Sequence, residues 1–218
     1  MYYLDRTDAG RHLARKLDRY RGDRPVVLGL ARGGLPVAAE VAASLGAPID
    51  VLVVRKIGAP FQPELALGAV AGDTVWLNQP LIFQLGVSPE AVNRSLALES
   101  AEVARRETLY RLGRPAVPVE GQTVIVIDDG LATGATAAAA LRALRRRNPK
   151  RIIFAAPVCS EEGMALVRRE ADEVVCDRQP ADFYAVSQAY GSFAQVSDDE
   201  VRETLESAST PAVGKERA

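Results

Sequence analysis

Short apolar runs alternate along the chain with Ala- and Leu-rich stretches of helical spacing, joined by turns that contain glycine. This rhythm occurs over residues 25–46, 123–147 and 151–170. Such βα units build a parallel sheet with helices on both faces. Because the runs are apolar almost throughout, we expect strands that are buried on both faces. The predicted strands cover residues 25–31, 49–54, 122–127, 151–157 and 172–176, and the first predicted core helix covers 35–45.

Two segments depart from this rhythm. Residues 67–77 predict a hairpin around a Gly-Asp turn. Residues 88–113 predict one long helix, in which Ser88 is the N-cap and Pro89 occupies the first turn. The charge on this helix fits a lid, a dimer surface or a solvated crossover helix, and the sequence leaves these three open.

Composition places the chain among ordinary globular proteins. It has 218 residues, 48% hydrophobic and 25% charged, with a formal net charge of −1, and it is long enough to bury one core. No apolar run approaches the roughly 20 residues of a membrane span. The start, Met1 to Arg6, is too polar for a signal peptide. Balanced charge does not favour nucleic-acid binding.

The cysteine content bears on the compartment. Two cysteines, Cys159 and Cys176, are too few for a disulfide framework and too far apart in sequence for a zinc site. We therefore expect reduced core cysteines in a cytoplasmic protein. The predicted organisation is one α/β domain over residues 1–207, in which a mainly parallel sheet is flanked by helices. It includes a helical insertion over about 79–113, and a disordered tail follows over 208–218.

The most informative stretch is the predicted strand that ends in two adjacent carboxylates, Asp128 and Asp129. A turn of small and hydroxyl residues follows, and a helix then begins. The free N–H groups and the dipole of a helix N-terminus make such a turn a phosphate cradle. The two carboxylates can accept hydrogen bonds from a sugar diol or help to hold a hydrated Mg²⁺. A ribose 5-phosphate suits this arrangement.

Other phosphate-site motifs do not fit the turn. A Walker A loop needs a lysine after its last glycine, and none follows Gly134. The dinucleotide pattern G-x-G-x-x-G is absent here and at 29–34. An aspartate-nucleophile phosphatase would need a carboxylate where Gly130 stands. The remaining alternative is a purely structural one, an acidic strand end with a threonine cap.

The stretch resembles the signature of the type I phosphoribosyltransferases: a hydrophobic run, two acids, a short turn, then Thr-Gly and a hydroxyl residue. The resemblance implies that Asp128 and Asp129 bind the ribose hydroxyls of 5-phosphoribosyl-1-pyrophosphate and help to hold Mg²⁺ through water. The hypoxanthine–guanine members carry an aspartate where this chain has Ala132, which argues against a 6-oxopurine acceptor. The implied 5-phosphate site consists of Leu131, Ala132, Thr133, Gly134, Ala135 and Thr136.

A loop after the first predicted strand fits the pyrophosphate site that the family requires. Its glycines let backbone amides face a diphosphate, and Arg32 offers a guanidinium fork. In the family this loop often carries a cis peptide, which here would precede Arg32. A plain βα turn is the alternative. The residues of this loop are Ala31, Arg32, Gly33 and Gly34.

The second predicted strand ends in the basic pair Arg55 and Lys56, before a loop that contains glycine and proline. The family has a mobile catalytic loop in this region, here about 56–66, with basic residues that contact pyrophosphate. A solvated pair at a strand end is the alternative. Glu64 is a weaker candidate for metal or nucleophile contact. The expected catalytic residues are Asp128, Asp129, Arg32 and Lys56.

The family reads its acceptor with a variable hood, expected here over about 177–195. Phe183 and Tyr184 are the candidates for stacking on a planar ring, and packing in a small satellite core fits them equally well. The only histidine, His12, is expected at the surface, and Trp76 in the core or at an interface.

The resemblance implies a Mg²⁺-dependent enzyme that transfers a phosphoribosyl group to a nitrogenous base or amine and releases pyrophosphate. Nucleotide salvage and a homodimer are further expectations. The competing interpretation is a regulatory protein that binds the sugar diphosphate or a nucleotide without turnover. Its RNA-binding version would use the basic cluster between Arg142 and Arg151. The sequence leaves the acceptor open.

Overall fold

A computed structural model describes residues 2–209, without the side chains at 63, 64 and 209. The strands are β1 (Val26–Leu30), β2 (Ile49–Leu52), β3 (Val54–Ala59), β4 (Gln62–Ala71), β5 (Thr74–Leu77), β6 (Thr123–Ile127), β7 (Arg151–Val158) and β8 (Glu173–Arg178). The helices are α1 (Arg6–Leu17), α2 (Gly34–Leu45), α3 (Gln79–Gln84), α4 (Pro89–Arg111), α5 (Ala135–Arg145), α6 (Glu161–Val167) and α7 (Asp198–Ser209). Short 3₁₀ turns cover Asp18–Asp23 and Val186–Ala189.

The central sheet contains five parallel strands in the order β2-β1-β6-β7-β8. This confirms all five strands that the apolar runs predict. After β1 the chain moves outward to β2 and later returns to β6, on the other side of β1. The loops that follow β1 and β6 therefore leave the sheet in opposite directions. Such a switch point opens a crevice at the carboxyl ends of the strands, where α/β proteins bind ligands.

Both faces of the sheet are buried, as the continuous apolar runs predict. Along β6, successive side chains enter different clusters: Ile125 packs with α1 and α2, whereas Val126 packs with α5. Both side chains are fully buried. The sheet is therefore the middle of three layers, and its strand ends are held rigidly between helices.

A second, antiparallel sheet of order β3-β4-β5 stands beside the first. The predicted hairpin at 67–77 is confirmed as part of β4 and β5, and its turn contains Gly72 at φ +61°. The predicted loop at about 56–66 is wrong, because most of it is paired in β3 and β4. Gly58 lies at a register shift in the pairing of β3 with β4, and Pro60 lies in the turn between these two strands. Arg55 and Lys56 therefore lie within β3 rather than at the end of β2.

The helical insertion contains α3 and α4, and the Ser88 side chain accepts a hydrogen bond from the Ala91 amide, as its predicted N-cap role requires. The side chains of Val92, Val103 and Tyr110 are buried, so α4 packs on the core along one face. Among residues 2–209, no helix combines the length and the apolar character needed to cross a bilayer.

The C-terminal helix α7 continues through Ser209, so residues 208 and 209 of the predicted tail are helical. The rest of that tail, residues 210–218, lies outside the described residues. Helix α7 packs against α2 and α4 through Val201 and Leu205, both of which belong to the larger core cluster.

Candidate active site

The loops that follow β1 and β6 meet in direct contact. A Cβ atom added to Gly33 would collide with the Asp129 carboxylate, since it would lie 2.7 Å from the Cγ atom. A Cβ atom on Gly34 would lie 2.9 Å from the Asp128 Cα atom. Both glycines are therefore needed for close approach between the two loops. The peptide bond between Ala31 and Arg32 is cis, as the family resemblance implies.

The acidic pair is largely withdrawn from water. The Asp129 amide donates to the Asp128 carboxylate at 2.9 Å, and the side chain of Asp129 is 13% exposed. Burial, reinforced by the neighbouring charge of Asp129, raises the pKa of Asp128 well above its usual range. Burial also raises the pKa of Asp129, while the Arg6 guanidinium acts in the opposite direction. Two adjacent acids with such environments are typical of a functional site.

The predicted phosphate cradle has the local geometry of an anion site. The turn runs into α5 through Gly134, whose φ is +75°. Within residues 2–209, the amides of Ala132, Thr133 and Gly134 donate to no protein acceptor. Thr133, Ala135 and Thr136 are exposed at the mouth of the turn. These amides are therefore available to a phosphate, and the Thr133 hydroxyl, which accepts from the Ala135 amide at 3.5 Å, still has a proton to donate.

The loop between β7 and α6 is hydrogen-bonded to this turn and supports it. The Leu131 amide donates to the Val158 carbonyl at 2.8 Å, and the Ser160 amide donates back to the Leu131 carbonyl at 2.8 Å. The Ser160 hydroxyl donates to the Ala132 carbonyl. A Cβ atom on Gly134 would lie 2.9 Å from the Gly163 carbonyl oxygen, so the two segments touch. The shape of this turn is therefore fixed by contacts within the protein.

Arg32 lies at the mouth of the crevice and contacts the start of α7. Its guanidinium is 3.6 Å from the Asp198 carboxylate, and its side chain is 28% exposed. The Tyr110 hydroxyl donates to the same carboxylate at 2.6 Å. Arg32 is therefore partly exposed and loosely paired, which leaves donors for an anionic ligand.

The other basic candidates lie elsewhere. The Arg55 side chain donates to Glu99 of α4 at 2.7 Å, and its neighbour Lys56 lies half-buried in β3. Neither residue lines the crevice between β1 and β6 among the residues that the structure describes. Their pyrophosphate contacts stay a prediction. The side chain of Glu64 lies outside the described part of the chain.

A cavity of about 460 Å³ opens beside the acidic pair. One of its walls comes from Arg6, in a segment that sequence reasoning did not place at the site, and another comes from the predicted hood, after the second 3₁₀ turn. Arg6 donates to the Asp129 carboxylate at 2.8 Å, and both side chains are nearly buried. The lining residues are Arg6, Arg32, Gly33, Asp129, Val186, Phe193, Gln195 and Val196.

The predicted hood does contribute to this cavity, but not through the expected aromatics. Phe193 and Gln195 line it, whereas Phe183 packs in a small cluster around Tyr3, and Tyr184 is 82% exposed. Ring stacking by Phe183 or Tyr184 stays a prediction. The signal that could have found Phe193 is its aromatic character within 177–195; nothing local marks Arg6.

Three other expectations concern residues outside the cavity. Cys159 and Cys176 are free thiols, Cys159 buried and Cys176 half-buried. His12 is partly exposed, with its ring edge-on to Tyr3 at 5.6 Å between centroids. Trp76 is half-buried beneath the Arg142 guanidinium, 4.4 Å from the ring centroid.

The two carboxylates of the site fit a metal ion whose other ligands come mostly from a bound substrate and from water. Within residues 2–209, no group of three or more His, Cys, Asp or Glu side chains converges as a metal site. Mg²⁺ commonly binds through one or two carboxylates together with substrate phosphates and water. Asp128 and Asp129 supply such carboxylates beside the expected diphosphate loop.

Comparison with known families gives a direct match. The phosphoribosyl transferase domain family matches residues 3–192 of the chain. Relatives from Mycobacterium tuberculosis strains CDC 1551 and H37Rv, named provisionally as phosphoribosyl transferases, are each 47% identical over 198 residues. The alignment covers 90% of this chain and 45% of each relative. The chain thus spans less than half the length of the curated relatives it matches.

Solved structures share the fold. The protein TT1426 from Thermus thermophilus is 40% identical, with a TM-score of 0.86 over 94% of this chain and 98% of its own. A purine phosphoribosyltransferase from Pyrococcus horikoshii is 17% identical, with a TM-score of 0.50 over 89% of this chain and 97% of its own. At that identity, the second likeness bears on the fold alone.

Proposed function

The chain belongs to the phosphoribosyl transferase domain family, and on that premise we propose that it transfers a phosphoribosyl group from 5-phosphoribosyl-1-pyrophosphate to a nitrogenous base or amine and releases pyrophosphate. The observation that carries this proposal is the contact between the two loops. Gly33 and Gly34 of the expected diphosphate loop lie against Asp129 and Asp128. A single ligand can therefore reach both loops at once.

The cradle, the acids and the diphosphate loop match the parts of one sugar diphosphate. The free amides from Ala132 to Gly134 suit the 5-phosphate. Asp128 and Asp129, at the end of β6, suit the ribose hydroxyls. Amides around Gly33 and the Arg32 guanidinium suit the diphosphate. Binding the sugar at both ends and along its ring fixes its anomeric carbon in one orientation.

The reaction breaks the bond between the anomeric carbon and the diphosphate oxygen, and the electron pair of that bond leaves with pyrophosphate. A nitrogen of the acceptor forms the new bond to the same carbon and then releases its proton. Positive charge develops on the sugar ring, beside the carboxylates of Asp128 and Asp129, and negative charge develops on the diphosphate, beside Arg32. When bound, Mg²⁺ would supply further neutralisation of the diphosphate.

The acceptor would approach from the cavity beside Asp129. Phe193, Val186 and Val196 give this cavity apolar surface, and Gln195 and Arg6 give it polar groups. A small planar nitrogen base fits such a mixture. Ala132, which stands where hypoxanthine–guanine enzymes carry an acid, argues against a 6-oxopurine. Salvage metabolism, a cytoplasmic location and a homodimer stay predictions.

The direct test is to mix the chain with Mg²⁺, the sugar diphosphate and a panel of adenine, uracil, xanthine, orotate and simple amines, and to measure pyrophosphate release. We expect release that depends on one acceptor class. The same reaction with Asp129→Asn should be slower by at least about 100-fold, because a carboxylate beside the developing charge is lost. Asp73→Asn, a change at the exposed β4–β5 turn, is the matched control and should react at the wild-type rate.

Two outcomes would contradict the proposal. One is failure of the sugar diphosphate to bind, measured by calorimetry. The other is tight binding without release for any acceptor in the panel, which would favour the regulatory interpretation. Full turnover by Asp129→Asn would contradict the role given to the acidic pair.

A further inference from the structure

Arg6 occupies a rigid position because hydrogen bonds fix the chain both before and after it. The Asp5 side chain caps α1 by accepting from the Asp8 amide at 2.8 Å, which makes Arg6 the first residue of the helix. Before it, the Tyr2 and Tyr3 amides donate to the Ala189 carbonyl. The Gly191 and Ser192 amides donate back to the carbonyls of residues 3 and 4. Residues 2–4 and the hood therefore form one unit.

Three contacts hold the Arg6 guanidinium in one orientation. Its Nη1 donates to the Ala194 carbonyl at 2.7 Å, and its Cζ lies 3.9 Å from the centroid of the Phe193 ring. Its Nε donates to the Asp129 Oδ2 atom at 2.8 Å. The Tyr190 ring packs on Phe193 at 4.9 Å between centroids, which fixes Phe193 in turn. Asp129 is thus hydrogen-bonded to a guanidinium whose own orientation is fixed.

The same unit is also hydrogen-bonded to the backbone of Asp129. The Tyr190 hydroxyl donates to the Asp129 carbonyl. With the side chains of Arg6 and Asp129 only 12% and 13% exposed, the pair is shielded from water and from screening by salt.

We infer that Arg6 is a positioning residue for sugar recognition: it holds Asp129 Oδ2, so that Oδ1 faces the ribose hydroxyls. The inference rests on the proposed function, since it assumes that Asp129 meets the sugar diol. Arg6 acts through Asp129. Through this contact, the N-terminal segment and the hood together influence which sugar the site binds. Without Arg6, a buried carboxylate would lose its charge partner and turn away from the sugar.

The test compares two probes that differ only in one hydroxyl. Ribose 5-phosphate and 2-deoxyribose 5-phosphate both reach the phosphate cradle, but only the first presents the complete diol. We expect wild-type protein to prefer ribose 5-phosphate by on the order of tenfold in calorimetric titration, as a hydrogen bond to a charged group provides. In Arg6→Gln the preference should fall to about twofold or less. Binding of 2-deoxyribose 5-phosphate should change little.

Matched variants separate positioning from a general effect on α1. Arg11→Gln removes an exposed pair with Glu40 on the same helix, and it should keep the wild-type preference. Arg6→Lys retains the charge and should recover part of the preference. Phe193→Leu leaves Arg6 in place but removes the ring beneath its guanidinium, so the preference should fall to an intermediate value. This last variant serves as the test if Arg6→Gln does not fold, as judged by its melting curve.

The outcomes distinguish the inference from the proposed function. If wild-type protein binds neither sugar phosphate, the proposed function fails and the inference fails with it. If wild-type protein prefers ribose 5-phosphate and both Arg6→Gln and Phe193→Leu keep that preference, only the role of Arg6 is overturned. Loss of binding to both probes in a folded Arg6→Gln would also overturn it, because Arg6 would then serve the whole site.

Discussion

The surroundings of Asp128 disfavour the ionised form of its carboxyl group. It lies at the end of β6, partly buried among the loops of the site, and the adjacent Asp129 adds a second negative charge. A site that needs two acids side by side gives up stability for that arrangement. The cost should be visible when one of the acids is replaced by its neutral isostere.

Replacing Asp128 by Asn should therefore stabilise the protein without ligand. Because the folded state binds the Asp128 proton more tightly than the unfolded chain does, the stability from protonated Asp128 is complete below about pH 4 and is lost as the pH rises toward the raised pKa. Asn cannot lose this proton. In urea titrations with EDTA, the advantage of Asp128→Asn should grow from pH 4 upward to roughly 1–2 kcal/mol. An advantage that is constant with pH would contradict this reasoning.

A second prediction at the residue scale concerns Gly33. A methyl group there meets the Asp129 carboxylate, so Gly33→Ala must displace either the diphosphate loop or the acid. We expect its affinity for the sugar diphosphate to fall by about tenfold, which corresponds to about 1.4 kcal/mol of binding free energy. Gly22→Ala is the matched control, since a Cβ atom there meets nothing within 4 Å. Equal affinities for the two variants would remove Gly33 from the site.

At the scale of elements, one buried ion pair fixes the end of the long helix. Asp50 of β2 is 6% exposed, and its carboxylate accepts from Arg111, the last residue of α4, at 3.0 Å. The same carboxylate accepts from the Val117 amide at 3.0 Å. One side chain thus joins the sheet, α4 and the segment that leads to β6.

Removal of Asp50 should therefore loosen this junction. In Asp50→Ala the Arg111 guanidinium loses its main acceptor while it remains buried, and we expect the free energy of unfolding to fall by about 3 kcal/mol. Urea titration measures this. Arg105→Ala removes an exposed pair with Glu102 on the same helix, and it should cost at most about 1 kcal/mol. If the two variants are equally stable, the buried pair is not what holds α4.

At the scale of the whole molecule, the arrangement of charge opposes binding to nucleic acid. The chain has a net charge of −1, and three arginines of its basic cluster pair with acids. Arg142, Arg145 and Arg151 pair with Glu170, Asp172 and Glu173 at 2.7, 3.0 and 2.6 Å, respectively. These three arginines are neutralised by their partners, so they offer little to a phosphate backbone.

We accordingly expect no salt-dependent retention of single-stranded RNA, measured by fluorescence anisotropy at low ionic strength. The triple variant Glu170→Gln, Asp172→Asn, Glu173→Gln frees the three arginines and should create weak binding that disappears as salt is added. Strong, steeply salt-dependent binding by wild-type protein would favour the RNA-binding regulatory interpretation.

The sequence was sufficient to predict those features whose residues are adjacent along the chain. The strand β6, the acids that follow it and the glycine turn are contiguous, so hydrophobic periodicity and helix-end chemistry suffice to identify them. It failed at β3, where Gly58 indicates a loop and only pairing with β4 supplies the hydrogen bonds of a strand. The ligand contact that the sequence assigns to Arg55 stays a prediction, and in the fold the Arg55 side chain pairs with Glu99.

The sequence by itself determined the layers of the fold and the chemistry of the strand end at Asp128 and Asp129, because burial periodicity and a helix N-terminus are properties of short segments. Only the tertiary structure decided which distant groups surround those acids. Arg6 and Phe193 reach Asp129 because the N-terminal segment pairs with the hood across the whole domain. No local pattern encodes such a contact, since it forms only once the fold has brought residues 6 and 193 together.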